Sequence, residues 1–139
     1  MDISAFFKKS CIAFLLLILL ACGGTDGPKW PDISVSESSY DFGGIVLDNS
    51  SDRTFVITNI GSAPLKIGDI SLSGDDCFSI LAGGTCSDRT LAVNGTCLLT
   101  VRFSPTDQGS FTGTLSILSN DWYGTETIGL SGEGYGLSV

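Results

Sequence analysis

After Asp32 no stretch of the chain carries a convincing helical period; short β-rich runs alternate instead with clusters of turn residues. The clearest run is Thr96 to Phe103. There Cys97, Leu99, Val101 and Phe103 share one face, while Thr96, Thr100 and Arg102 point away. Phe111, Leu115 and Ile117 alternate with Thr112, Thr114 and Ser116, and Ile128 and Leu130 alternate with Thr127, Gly129 and Ser131. Earlier runs are Ile33 to Ser36, Tyr40 to Phe42, Arg53 to Asn59 with Phe55 and Ile57 on one face, and Cys77 to Leu81. Gly43-Gly44 reads as a bend or bulge. From Leu65 to Leu72 the phase slips at Gly68-Asp69. Leu65 and Ile67 fall on one face and Ile70 and Leu72 on the other, as in a bend or two short strands. Seven to eight strands over about 100 residues is the size of an all-β, immunoglobulin-like sandwich with two sheets around one core. No internal repeat is present, so a single domain over residues 32–135 is expected, with 136–139 as a tail.

Composition removes whole classes of function. Lys and Arg number 7 against 15 Asp and Glu, a net charge of −8, which argues against nucleic acid as a partner. Histidine is absent, so His-based acid–base chemistry and His metal sites are excluded. No Gly-rich phosphate loop lies between a strand and a helix, and no Ser-x-x-Lys supplies a base for a serine nucleophile. A carboxylate-based hydrolase would need two converging acids, whereas the acids here scatter over separate turns. The expectation is no enzyme and no cofactor.

The positive mean hydropathy of +0.33 has a local origin. Lys8 and Lys9 precede an unbroken apolar run of 12 residues from Cys11 to Cys22, too short to cross a bilayer as a helix but right for a secretory signal peptide. The run ends Leu19-Leu20-Ala21-Cys22-Gly23-Gly24, which resembles the lipobox of bacterial lipoproteins. That resemblance implies removal of residues 1–21 as a signal peptide and acylation of Cys22, by chains such as palmitate, as the first residue of the mature protein. The alternatives are a cleaved signal peptide with an incidental Cys, or an uncleaved anchor. Cleavage would remove Lys8, Lys9 and Asp2, leaving −9 on 118 residues. Residues 22–31, rich in Gly and Pro, read as the lipidated Cys and a flexible tether. Gly23 in place of Asp leans towards the outer membrane if the organism is Gram-negative. The membrane is thus the expected partner of Cys22, and the cell envelope the expected location.

The order of motifs resembles the bacterial choice-of-anchor D and abnormal-spindle/hydin (ASH) type of Ig-like domain. The matching residues are Tyr40-Asp41-Phe42-Gly43, Phe55 to Leu65, Asp76 to Ile80, Cys86 to Cys97, Val101 to Thr106 with Gly109, Gly113 to Asp121, and Leu130-Ser131-Gly132-Glu133-Gly134. Each is a strand plus a turn, and their joint order is what is specific. The resemblance implies a structural or interaction module without catalytic residues, serving protein–protein contact, adhesion or spacing. Two departures stand out: a single domain with its own lipid site, and a short loop after Asn120-Asp121 carrying Trp122-Tyr123.

Five cysteines divide by compartment. Cys11 would leave with the signal peptide and Cys22 go to lipid, leaving Cys77, Cys86 and Cys97 where disulfides form. Relatives tend to carry a pair matching Cys86 and Cys97, so the resemblance implies that bridge. The rival is Cys77–Cys86 with Cys97 buried, and Cys77 is otherwise a buried or free thiol able to link chains. Spacings of 9 and 11 residues lack a zinc knuckle, and the acidic stretches Asp48 to Asp52 and Asp75-Asp76 lack an EF-hand pattern, so no metal is expected. Asn49-Ser50-Ser51 and Asn94-Gly95-Thr96 match the glycosylation sequon but read as turns in a bacterial chain. Trp122 and Tyr123 are the candidate contact residues, either exposed to a protein or carbohydrate partner or folded back over the end of the sandwich.

Overall fold

The computed structural model describes residues 27–137. The expected signal peptide, Cys22 and residues 23–26 of the tether lie outside the described residues, as do the last two residues of the tail. The chain forms nine strands: β1 (Ile33–Val35), β2 (Ser39–Val46), β3 (Ser51–Asn59), β4 (Leu65–Gly74), β5 (Phe78–Ile80), β6 (Thr90–Leu91), β7 (Thr96–Phe103), β8 (Gly109–Ser119) and β9 (Thr125–Tyr135). One sheet has the order β1-β3-β7-β5 and the other β2-β9-β8-β4-β6. Every pairing is antiparallel except β2 with β9, where an early and the last strand run parallel. The ninth strand is β6, two residues lying inside what the sequence presents as one turn between Cys86 and Cys97.

The inward residues of the alternating runs fill the space between the sheets. Phe55, Ile57, Val101, Phe103, Leu115, Ile117 and Ile128 are fully buried. A chain of rings runs through this core, Tyr40–Phe42–Phe78–Phe103–Phe111, with neighbouring centroids 5.0–6.1 Å apart. Gly113 and Gly132 take inward slots beside these rings. A Cβ on Gly132 would lie 2.5–2.9 Å from three atoms of the Phe103 ring, so only glycine lets that ring lie flat on β9.

Two irregularities keep the pattern in phase. Gly43, at φ 71°, sits in a register shift of β2 between Asp41 and Gly44, where the Asp41 carboxylate accepts the Gly43 N–H at 2.9 Å. A second shift between Ile67 and Ile70 interrupts the pairing of β4 with β8. The sequence expectation that Leu65/Ile67 and Ile70/Leu72 face opposite ways is corrected here. β4 is one continuous strand, and its bulge resets the alternation so that all four side chains pack on the same core.

Outside the core, polar pairs cross between strands. Asp52 and Arg102 are directly opposed in β3 and β7 and form a two-point pair at 2.7 and 2.9 Å. Arg53 pairs with Glu37 and lies 4.6 Å above the Tyr40 ring.

Candidate functional site: an aromatic pole at the chain entry

Five loops or ends meet at one pole of the sandwich: the segment before β1, the β3–β4 turn, the β6–β7 turn, the β8–β9 loop and the start of β4. Their common anchor is Asn59, the one fully buried polar residue in the described core. It continues the inward row of Phe55 and Ile57. Its amide nitrogen donates to the carbonyls of Ala63 (2.8 Å) and Leu91 (3.1 Å), and its amide oxygen accepts the Gly61 N–H at 3.0 Å. Its backbone N–H donates to the Gly95 carbonyl, and its carbonyl accepts the Asn94 N–H. A buried amide satisfied on both ends holds three turns in fixed relation.

Trp30 is laid across this frame. Its carbonyl accepts the N–H groups of Ser62 (2.8 Å) and Ala63 (3.2 Å), and its own N–H donates to Ser62 Oγ at 3.2 Å. The Asp32 carbonyl accepts the Ile60 N–H at 2.8 Å. A side chain on Gly61 would overlap the Trp30 carbonyl and the Asp32 nitrogen, so glycine is required for the segment to lie there. Trp30 and Pro31, placed by sequence in a flexible tether, therefore belong to the folded domain. Their Gly/Pro-rich neighbours conceal this in the sequence. Beside Trp30 lies an open groove of about 200 Å³, lined by Trp30, Asp32, Ile60, Gly61 and Ser62.

The β8–β9 loop is clamped at both ends. Asn120 exchanges two hydrogen bonds with the backbone of Lys66, its side-chain oxygen accepting the Lys66 N–H at 2.7 Å. Asp121 accepts from the N–H groups of Tyr123 and Gly124, and Gly124 closes the turn at φ 79°. This leaves Trp122 70% and Tyr123 78% exposed. They do not fold back over the core; Trp122 instead meets Trp30 edge to face, with centroids 6.1 Å apart.

Cys86 and Cys97 are joined by a disulfide, with Cα atoms 5.1 Å apart. The bond ties the segment after β5 to the inward face of β7. Two hydrogen bonds between Thr85 and Leu98 flank it, one from each backbone N–H. Cys77 is a free, half-buried thiol at the opposite pole, and burial pushes its pKa up. Among the described residues no three Cys, Asp or Glu side chains gather to hold a metal ion. Asp48 sits in the β2–β3 loop and Asp75-Asp76 in the β4–β5 loop of that distal pole. Asp48 stands at φ 65°, and the Asp75 carboxylate accepts the Thr112 N–H at 2.8 Å, which is turn chemistry.

A two-sheet sandwich with β2 closing in parallel on β9, a satisfied polar hub and shaped loops is an immunoglobulin-like domain of the ASH/PapD-like kind. Residues 31–133 match the HYDIN/CFA65/VesB-like, Ig-like domain, and the chain belongs to that family. No curated protein matches it. Among solved structures it is similar to the ASH/PapD-like domain 7 of human CEP192, at 14% identity, TM-score 0.62, over 83% of this chain and 93% of that one. It is also similar to a protein of unknown function from Porphyromonas gingivalis, at 18% identity and TM-score 0.63, over 80% of this chain and half of that one. The VesB protease of Vibrio cholerae matches at 19% identity and TM-score 0.62, over 73% of this chain but only 31% of the protease. These likenesses concern the fold. An Ig-like domain of this kind suggests a non-catalytic interaction module.

Proposed function

We propose that this chain is a lipid-anchored, non-catalytic Ig-like module of the bacterial cell envelope, acylated on Cys22, that presents a rigid sandwich for contact with another envelope or surface protein. The observation that carries this reading is the short distance along the chain between the two parts. Only residues 23–29 separate the Cys22 of the lipobox-like motif from Trp30, which is hydrogen-bonded to the β3–β4 turn. A module so placed is held close to its membrane and acts through its surface.

The edges narrow what that surface is. Strands β1, β5 and β6 are two or three residues long, and β2 is interrupted by its bulge. Short or bulged edges resist the addition of a foreign strand. Loops are therefore the contact elements, foremost the distal set at 47–50, 75–77 and 104–108. These loops are tied together, the Asp48 N–H donating to the Pro105 carbonyl and the Ser104 N–H to the Cys77 carbonyl.

A carbohydrate- or small-ligand-binding role for the Trp122-Tyr123 loop is the rival reading. The groove beside it is open and smaller than the roughly 300–1,000 Å³ of usual ligand sites. Cross-linking the acylated protein in its native envelope, followed by capture and mass spectrometry, separates the two. A reproducible protein partner cross-linked through the loops is expected; recovery of glycan alone would overturn the interaction reading.

A further inference from the structure

The aromatic pole gathers Trp30, Ile60, Val93, Trp122 and Tyr123, exposed by 51%, 57%, 44%, 70% and 78%. A cluster of large apolar groups on a small acidic domain marks a contact surface. Three observations say what it contacts. First, this is the pole at which the chain enters the domain. Residues 23–29 can span at most about 25 Å even when fully extended. β8 has 11 residues, and at roughly 3.4 Å each it sets the opposite pole about 37 Å further away. Anchoring at Cys22 thus holds the aromatic pole closest to the bilayer, with the opposite pole farther from the anchor. Second, the charge is uneven. Both lysines that follow Cys22, Lys29 and Lys66, lie at this pole and offset Asp32 and Asp121 there, whereas the distal loops carry Asp48, Asp75, Asp76 and Asp107 with no Lys or Arg. Third, the residue types are those of a membrane–water interface. Trp and Tyr combine a broad apolar ring with one polar group and collect at headgroup level, and lysine stems reach to phosphates.

We propose that this pole is a second membrane contact: Trp30, Ile60, Trp122 and Tyr123 seat in the headgroup region of the leaflet that holds the Cys22 lipid. The sandwich then stands on the bilayer with β8 and β9 leading away from it, and its acidic distal loops face outward. This inference rests on the acylation of Cys22 proposed above. It gives the Trp122-Tyr123 pair a lipid surface as its partner rather than a protein or a sugar.

The chain contains two tryptophans, both in the proposed contact, so its own fluorescence is the reporter. The full chain, produced in a bacterial host and extracted from its membranes, is reconstituted into vesicles of phosphatidylethanolamine and phosphatidylglycerol, with plain or brominated acyl chains. Vesicle flotation and the mass of the N-terminal peptide read the anchoring independently. The expected result is protein that floats in both, with emission strongly quenched only by the brominated lipid. Trp30→Phe and Trp122→Phe each keep quenching of the remaining ring, and Trp122→Ser with Tyr123→Ser weakens quenching of Trp30. Acylated, floating protein with equal emission in both vesicles would overturn the docking and leave the anchor standing. Protein with no acyl group on Cys22 and no flotation would overturn both.

Discussion

Single residues decide how firmly the pole and the sheet surface are held. Asn59 has every side-chain polar atom paired in a fully buried position. Replacing it by Ala leaves two carbonyls and an N–H without partners, so Asn59→Ala is expected to cost about 2–3 kcal/mol in urea unfolding. The same change should broaden the amide signals of the 60–63 and 92–95 turns, because their common anchor is gone. The Asp52–Arg102 pair acts on the surface. The hydrogen bond from the Arg102 guanidinium holds the Asp52 carboxyl below its ordinary value, against the opposing effect of desolvation. Its folded pKa lies below its unfolded one, so what the pair contributes is complete above the ordinary aspartate range and is lost as pH falls through the folded pKa. Carboxyl-resolved NMR titration should place Asp52 below an unperturbed aspartate, and Arg102→Ala should return it to the usual range. Asn59 was accessible to sequence reasoning as a polar residue in the inward slot after Phe55 and Ile57. What hides it is that a strand end also tolerates Asn, so the alternation alone does not mark a hub.

At the scale of elements, alternation was legible wherever a strand has one wet and one dry face. β7 and the second half of β8 read directly, and their registers match the expected faces. The misreading of Ile70 and Leu72 has a physical cause. A bulge adds one residue to one strand, so the sequence loses phase while the structure keeps both halves on the core. β6 escaped for a different reason: two residues are too few to show a period. Trp30 escaped because its docking depends on backbone hydrogen bonds and on the space above Gly61, neither of which patterning reports. The Cys86–Cys97 bridge belongs to this scale, since it fixes a segment with little regular structure against β7. Closing a loop with an 11-residue separation is worth about 3 kcal/mol. Calorimetry of the Cys86→Ala, Cys97→Ala double variant should show a loss of that order. A non-reduced digest should recover the peptide linking Cys86 to Cys97, with Cys77 free to react only slowly until alkaline pH.

For the molecule as a whole, the two-sheet sandwich and its core follow from one repeated physical rule, that an inner face must be dry, while the strand order comes from the structure and the family from the order of motifs. Function does not follow from that rule, because a fold shared across proteins at 14–19% identity fixes a scaffold and leaves the contacts to loops. The proposed function rests on the order along the chain: a lipobox-like Cys22, seven residues, then a pole of exposed aromatics with the acidic loops at the far end. The whole functional account therefore turns on the state of Cys22. The direct measurement is mass spectrometry of the N-terminal peptide of the protein recovered from the membranes of a bacterium that produces it. The account predicts a chain that begins at Cys22 and carries acyl groups. A chain that retains residues 1–21, or begins at any other residue without lipid, would contradict it.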